Sequence, residues 1–254
     1  MFQFKSILLM LITFLFTSLL FAKPLANLPT EDKKCLSMHI VFNASAGYLN
    51  ETGKVVGFHV DFLNALERKT GFCMNKKLLP YARAKRSIEL GGHDGGILAS
   101  ESDLDKSVIY IAKLLTSKTI IIPKKGLTLK NYNDLTKIVI GKVRGAKLDE
   151  AIDNDKNISF LEVSNYKHGL EMLKKGRIDA IAGNSLGLTV ISELGMNDEV
   201  NLSGKYVLGQ REVWFLLSNK SEYITKVEQL REATLALIEE NIVDDILHKY
   251  FKFE

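Results

Sequence analysis

Arg144, Gly145 and Ala146 are the residues best placed for chemistry with an anion, because they follow a strand-like run and precede a helix-like one. Amide groups at a helix start carry partial positive charge, and an adjacent guanidinium adds a full one. The plainer alternative is a turn with a solvated arginine. Tyr81 and Arg83 follow another strand-like run, so that a ring would wall a cleft and a guanidinium would grip a carboxylate through two hydrogen bonds. The plainer alternative there is a surface salt bridge on a helix. Ala99 and Ser100 close one short apolar run and Asn184 and Ser185 another, and both pairs would offer polar groups to a shared cleft.

Other chemistries lack their residues. The five histidines (His39, His59, His93, His168, His248) are scattered without a metal-binding pair, and no G-x-S-x-G nucleophile turn occurs. The run from Gly91 to Gly96 is glycine-rich but lacks the Lys-Ser/Thr ending of a phosphate loop. No catalytic residue, metal or cofactor is therefore expected. The net charge of +4, from 34 basic and 30 acidic residues, is no footprint for nucleic acid. Cys35 and Cys73, the only two cysteines, read as a disulfide if the chain is exported, or else as two buried thiols.

Export is the expectation from the first 22 residues. Lys5 precedes an apolar run from Ile7 to Phe21, and Ala22 offers a small residue for cleavage. The run of about 15 residues is short of the roughly 20 that span a bilayer. Behind it, about 230 residues form one large domain or two lobes, with 46% hydrophobic and 25% charged residues over the whole chain, as a globular core requires.

The elements that must position the candidates alternate between strand and helix, which argues an α/β unit with a mainly parallel sheet. Strands are expected at Ser37 to Phe42, Val55-Val56, Met74 to Leu79, Thr119 to Pro123, Lys137 to Lys142 and Arg211 to Leu217. Helices are expected at Asp61 to Lys69, ended by Gly71, at Ala82 to Leu90, after Ala146, and in two C-terminal segments, Glu222 to Glu239 and Ile242 to Tyr250. An internal echo stands out. SIELGGHDGGILAS (Ser87 to Ser100) and MLKKGRIDAIAGNS (Met172 to Ser185) each end a helix at a glycine, place an aspartate three residues on, and run into an apolar strand ending in serine. Two such halves would bring their strand ends to one cleft. A chance match between two glycine-capped connections is the simpler reading.

Several segments carry a resemblance to a known family. GFHVDFLNALERKTGF (from Gly57), PYARAK (from Pro80), LKNYNDLTKIVIGKVRGAKLDE (from Leu129) and LEMLKKGRIDAIAGNS (from Leu170) resemble, in order, elements of the extracellular solute-binding proteins of the amino-acid-binding family. The resemblance implies a type II periplasmic-binding-protein fold, two α/β lobes joined by two hinge strands. Its implied divisions are a signal peptide at 1–22, a first lobe at 35–118 and 207–254, and an inserted second lobe at 119–206. It also implies Tyr48 as an aromatic wall, although a tyrosine half-buried in its lobe explains that residue equally.

Two departures qualify the ligand. The family's arginine after the first echo strand is absent, since no arginine occurs between Arg86 and Arg144, and the aspartate expected after the second is Asn184. Both ionic handles for a zwitterion are missing. The implied function is capture of a small polar or anionic ligand in the periplasm, by a monomer, for an inner-membrane transporter permease. The alternatives are a ligand-sensing subunit for a membrane receptor, or a dehydratase-like enzyme using Glu101 or Asp61. The plainer readings of those two are a solvated loop charge and a helix-start residue.

Overall fold

The computed structural model describes residues 34–43 and 45–251, so the signal segment lies outside the described residues. Among the described residues, ten strands and eight α-helices follow in chain order. The strands are β1 (Leu36–Val41), β2 (Tyr48–Leu49), β3 (Val55–Val56), β4 (Met74–Leu79), β5 (Gly95–Ala99), β6 (Val108–Pro123), β7 (Val139–Val143), β8 (Ser159–Val163), β9 (Ala180–Asn184) and β10 (Tyr206–Ser218). Eight of them form one sheet in the order β4-β1-β5-β10-β6-β9-β7-β8. The remaining two, β2 and β3, make a small hairpin.

The sheet is parallel toward both ends and antiparallel in the middle, where β10 pairs with β5 and β6, and β6 with β9. The expectation of a mainly parallel sheet missed this centre. The start of the long β6 also escaped the sequence reading: Val108 to Lys118 extends the expected strand to 16 residues. As β6 and β10 run through both halves of the sheet, they link the first lobe, built on β4-β1-β5, to the second, built on β9-β7-β8.

In the first lobe, α1 (Phe58–Thr70) buries Phe58, Phe62, Leu63 and Leu66 at helical spacing, and Gly71 ends it with φ 71°. Phe62 meets Phe215 of β10 edge to face, with ring centroids 5.4 Å apart. The C-terminal helices α7 (Val227–Glu239) and α8 (Ile242–Tyr250) complete that layer, and α2 (Tyr81–Leu90) covers the other face through Ala84 and Ile88.

In the second lobe, alternation along β6 divides three consecutive isoleucines between two cores. Ile120 and Ile122 join Val163, Leu170 and Ile181, whereas Ile121 joins Leu135, Ile140 and Ala180. The short α3 (Tyr132–Leu135) and α4 (Glu150–Asn154) lie with the second cluster, and α5 (Tyr166–Lys174) and α6 (Val190–Glu193) with the first.

Cys35 and Cys73 are bonded, with Cα atoms 4.6 Å apart, at the starts of neighbouring strands β1 and β4. Closing a loop of 38 residues is worth about 4 kcal/mol on a chain-entropy model.

The echo is structural as well as sequential. Gly91 and Gly176 both adopt left-handed φ, at 77° and 66°. Asp94 donates its N–H to the Ser37 carbonyl (2.8 Å) and takes the Ser37 N–H on its carboxylate (2.8 Å), at the start of β1. Asp179 repeats both bonds with Val139, at 2.8 and 3.0 Å, at the start of β7.

Candidate functional site

The carboxyl ends of β1 and β5 from one lobe, and of β7 and β9 from the other, face a common cleft of about 140 Å³. Strand ends are where open α/β sheets bind ligands, since the backbone groups there are not consumed by the ladder. Side chains of Phe58, Leu115, Val143 and Val213 make much of its wall, with Tyr81 from one lobe and Tyr166 from the other. Hydrogen bonds tie the lobes in and beside it. The Lys147 N–H reaches Glu101 Oε1 (3.4 Å) in the cleft, and Ser45 Oγ donates to Glu193 Oε1 (2.9 Å) in a neighbouring recess.

One end of the cleft is built on charge. Pro80 stops β4 and precedes the first helical residue, Tyr81, because proline cannot continue a ladder but suits a helix start. Tyr81 and Lys85 are four residues apart and therefore share a helix face, and both turn to Glu101. The Tyr81 hydroxyl donates to Oε1 (2.7 Å) and the Lys85 ammonium to Oε2 (2.5 Å), with a second Lys85 bond to Asp103 (2.7 Å). Arg211, on β10, places Nη1 3.5 Å from Glu101 Oε1 and 2.5 Å from the Lys147 carbonyl, while Nη2 bonds the Ser100 carbonyl.

The Glu101 side chain is 1% exposed and that of Lys85 9%, so the charges neutralise one another in place. Burial pushes the Tyr81 phenol well above its usual range, and the adjacent Glu101 charge adds to this. Burial alone would lower the Lys85 ammonium, but its bonds to Asp103 and Glu101 outweigh that and raise it.

The other end is neutral. Asn165 caps α5, its side chain accepting the His168 N–H at 2.8 Å. The Tyr166 ring then packs so closely against Gly183 and Gly187 that a Cβ on either would lie 2.3 Å from it. Its hydroxyl accepts the Asn184 N–H at 3.0 Å. The Asn184 side-chain oxygen accepts from Ser117 Oγ (2.6 Å) and the Leu186 N–H (2.8 Å), and Ser185 Oγ lies 3.2 Å from Ser117 Oγ.

His59, in the first turn of α1, also lines the cleft and is 6% exposed. Its Nδ1 has no hydrogen-bond partner among the described residues. Burial pushes the imidazole down to about 3, so it is neutral at ordinary pH.

The sequence-derived candidates divide accordingly. Tyr81, Ala99, Ala146 and Asn184 line the cleft. Tyr48 lines an adjoining outer vestibule of about 540 Å³, and Ser100 a hinge-side recess of about 490 Å³. Arg83, two positions from Tyr81, lies on an exposed part of α2, as a helix turn of 100° per residue requires. Gly145 turns with φ 78° against Ala82 of the first lobe.

Arg144 is 68% exposed and bonds Glu162 through Nε (3.1 Å). The helix expected directly after it begins only at Glu150, and Asp149 already occupies its cap, accepting the Ala151 and Ile152 N–H groups. The anion-site geometry is therefore not formed. Glu101, read most plainly as a solvated loop charge, is instead buried. Lys85, Arg211, Tyr166 and His59 were not among the candidates. The spacing of Tyr81 and Lys85 could have found Lys85, but Arg211 reaches the cleft only because β10 crosses it.

No family model matches the chain, and no curated protein does. Solved structures do. A variant of ArgBP from T. maritima superposes with a TM-score of 0.73 at 17% identity, covering 85% of this chain and 94% of that one. The arginine-, lysine-, histidine-binding protein ArtJ from Geobacillus stearothermophilus gives 0.71 at 19% identity, covering 87% and 96%. The VFT2 domain of BvgS from Bordetella pertussis gives 0.70 at 12% identity, covering 85% and 93%. The chain has the type II periplasmic-binding-protein fold. Among the described residues, no helix is long and apolar enough to cross a membrane.

Proposed function

We propose that the protein is an exported, monomeric solute-binding protein that captures one small molecule between its lobes and delivers it to an inner-membrane transporter permease. The observation that carries this reading is the ligand-sized cleft at the strand ends, lined from both lobes and bridged by the Lys147 N–H to Glu101. The Cys35–Cys73 bond suits an oxidising compartment and agrees with export and cleavage near Ala22. The likeness to BvgS VFT2 favours one second reading, in which closure is reported to a sensor instead.

Catalysis is disfavoured by the state of the carboxylates. Glu101 is held by Tyr81, Lys85 and Arg211, and Asp61 bonds Lys249 and Tyr250 and is not among the residues lining the cleft. A thermal-shift screen of a metabolite library against the mature chain tests the binding reading. A ligand at 100 times its dissociation constant adds about 2.7 kcal/mol. A library in which no compound raises the melting temperature removes the proposal.

A further inference from the structure

We infer that the cleft takes a small uncharged molecule with an apolar, ring-sized body. The inference deepens the solute-binding reading and rests on it. Charge argues first. Glu101, Lys147 and Arg211 are the lysine, arginine and carboxylate residues among the described residues that line the cleft. Glu101 accepts from Tyr81 and Lys85 and faces Arg211, while Arg211 donates to two carbonyls. Lys147 is an exposed residue close enough to Asp103 to lower that carboxyl, which places its charge at the rim. At the opposite end, Asn184 and Tyr166 are neutral and bonded to each other. A zwitterion or anion seated inside this space would lose its water with only the rim Lys147 as an unpaired charge to face, a penalty of several kcal/mol per ion.

Size and lining argue next. A space of about 140 Å³ matches the roughly 150 Å³ of an apolar cavity known to hold benzene. Tyr81 and Tyr166 bring an aromatic ring from each lobe, and Phe58, Leu115, Val143 and Val213 supply apolar wall. His59 also lines this wall, but its unpartnered Nδ1 is buried out of reach of the space, so the ring adds no polar contact for a ligand.

The test is calorimetric titration of the mature chain with three probe sets: phenol, benzamide and toluene; L-arginine and L-glutamine; succinate and benzoate. The ring compounds are expected to bind, with affinity unchanged between 0.05 and 0.5 M salt, and the amino acids and anions are not. Val213→Phe, which fills the cleft, should abolish all three. Binding of an amino acid or a carboxylate in place of the ring compounds overturns the inference and leaves solute binding intact. If no probe binds but a library metabolite does, the ligand class falls alone; if neither binds, the solute-binding reading falls with it.

Discussion

In the first lobe the strand that follows Asp94 runs into Ser100 and Glu101, where a carboxylate and an ammonium are buried beside a partly exposed guanidinium. In the second, the strand that follows Asp179 runs into Asn184 and Ser185, where amide and hydroxyl groups bond one another. Both segments begin with the same pair of hydrogen bonds between an aspartate and the start of a neighbouring strand. The scaffold is thus repeated while the chemistry at its end is not. One end is uncharged because its charges cancel, the other because it has none. That route to a neutral cleft makes the first lobe the more fragile: a cancelled charge becomes an uncancelled one when a partner is removed.

The largest expected effect tests that fragility. Glu101→Leu leaves Lys85 and Arg211 without their shared carboxylate, and breaking a buried pair costs about 3–5 kcal/mol. Because Asp103 still holds Lys85, the lower end of that range is expected in urea unfolding. Asn184→Leu in the second lobe strands hydrogen-bond donors but no charge, and should cost about 1–3 kcal/mol. Equal losses would break the comparison.

Acid sharpens it. His39 is fully buried on β1 with neither ring nitrogen partnered among the described residues, and it lies near His59 and His93; burial pushes His39 and His59 both down to about 3. The unfolded chain takes up protons on these residues near pH 6.5, whereas the folded chain does so only near 3. Stability therefore falls as pH drops through that window. From pH 7 to pH 5 the loss is roughly 2 kcal/mol for each histidine. His39→Leu should roughly halve the pH dependence measured by urea unfolding at the two pH values. An unchanged slope would place the acid sensitivity elsewhere.

The repeated aspartates should separate by a smaller margin. The Asp94 carboxylate accepts from Ser37 N–H, Ser37 Oγ and Ser221 Oγ. Asp179 accepts from Val139 N–H and from a half-exposed Lys124. Bonds to a charged acceptor are worth about 1.5–3 kcal/mol when well sheltered, and exposed ion pairs much less. Asp94→Ala should therefore cost about 3 kcal/mol and Asp179→Ala about half that, in thermal or urea unfolding.

What the sequence made legible follows the same division. Local signals located the scaffold: Gly71 and Gly91 end helices with positive φ, Met74 to Leu79 is a strand throughout, and the paired aspartates mark equivalent connections. The site was only partly visible, because its charged end is assembled from α2, the loop after β5, and β10, and the contact of Glu101 with Arg211 alone spans 110 positions. No periodicity reports that Glu101 is buried, since its own neighbours Ser102 and Asp103 are polar. Arg144 misled for a related reason. A basic residue before a glycine turn suggests a helix start, but the cap is set by Asp149, several residues later.

Arg144 consequently supplies the smallest prediction and the cleanest contrast with Arg211. Its guanidinium pairs with Glu162 where both side chains are more than half exposed, so the pair is screened by solvent. Arg144→Ala should change stability by less than about 0.5 kcal/mol and leave the affinity for any cleft ligand within twofold. Arg211→Ala, by contrast, removes donors to carbonyls on both sides of the cleft, at Ser100 and Lys147, and should weaken the same ligand at least tenfold. If Arg144→Ala proved the more damaging, the turn it occupies would have to reach the ligand in the bound state. The second lobe would then supply the cleft with a charge beyond that of Lys147.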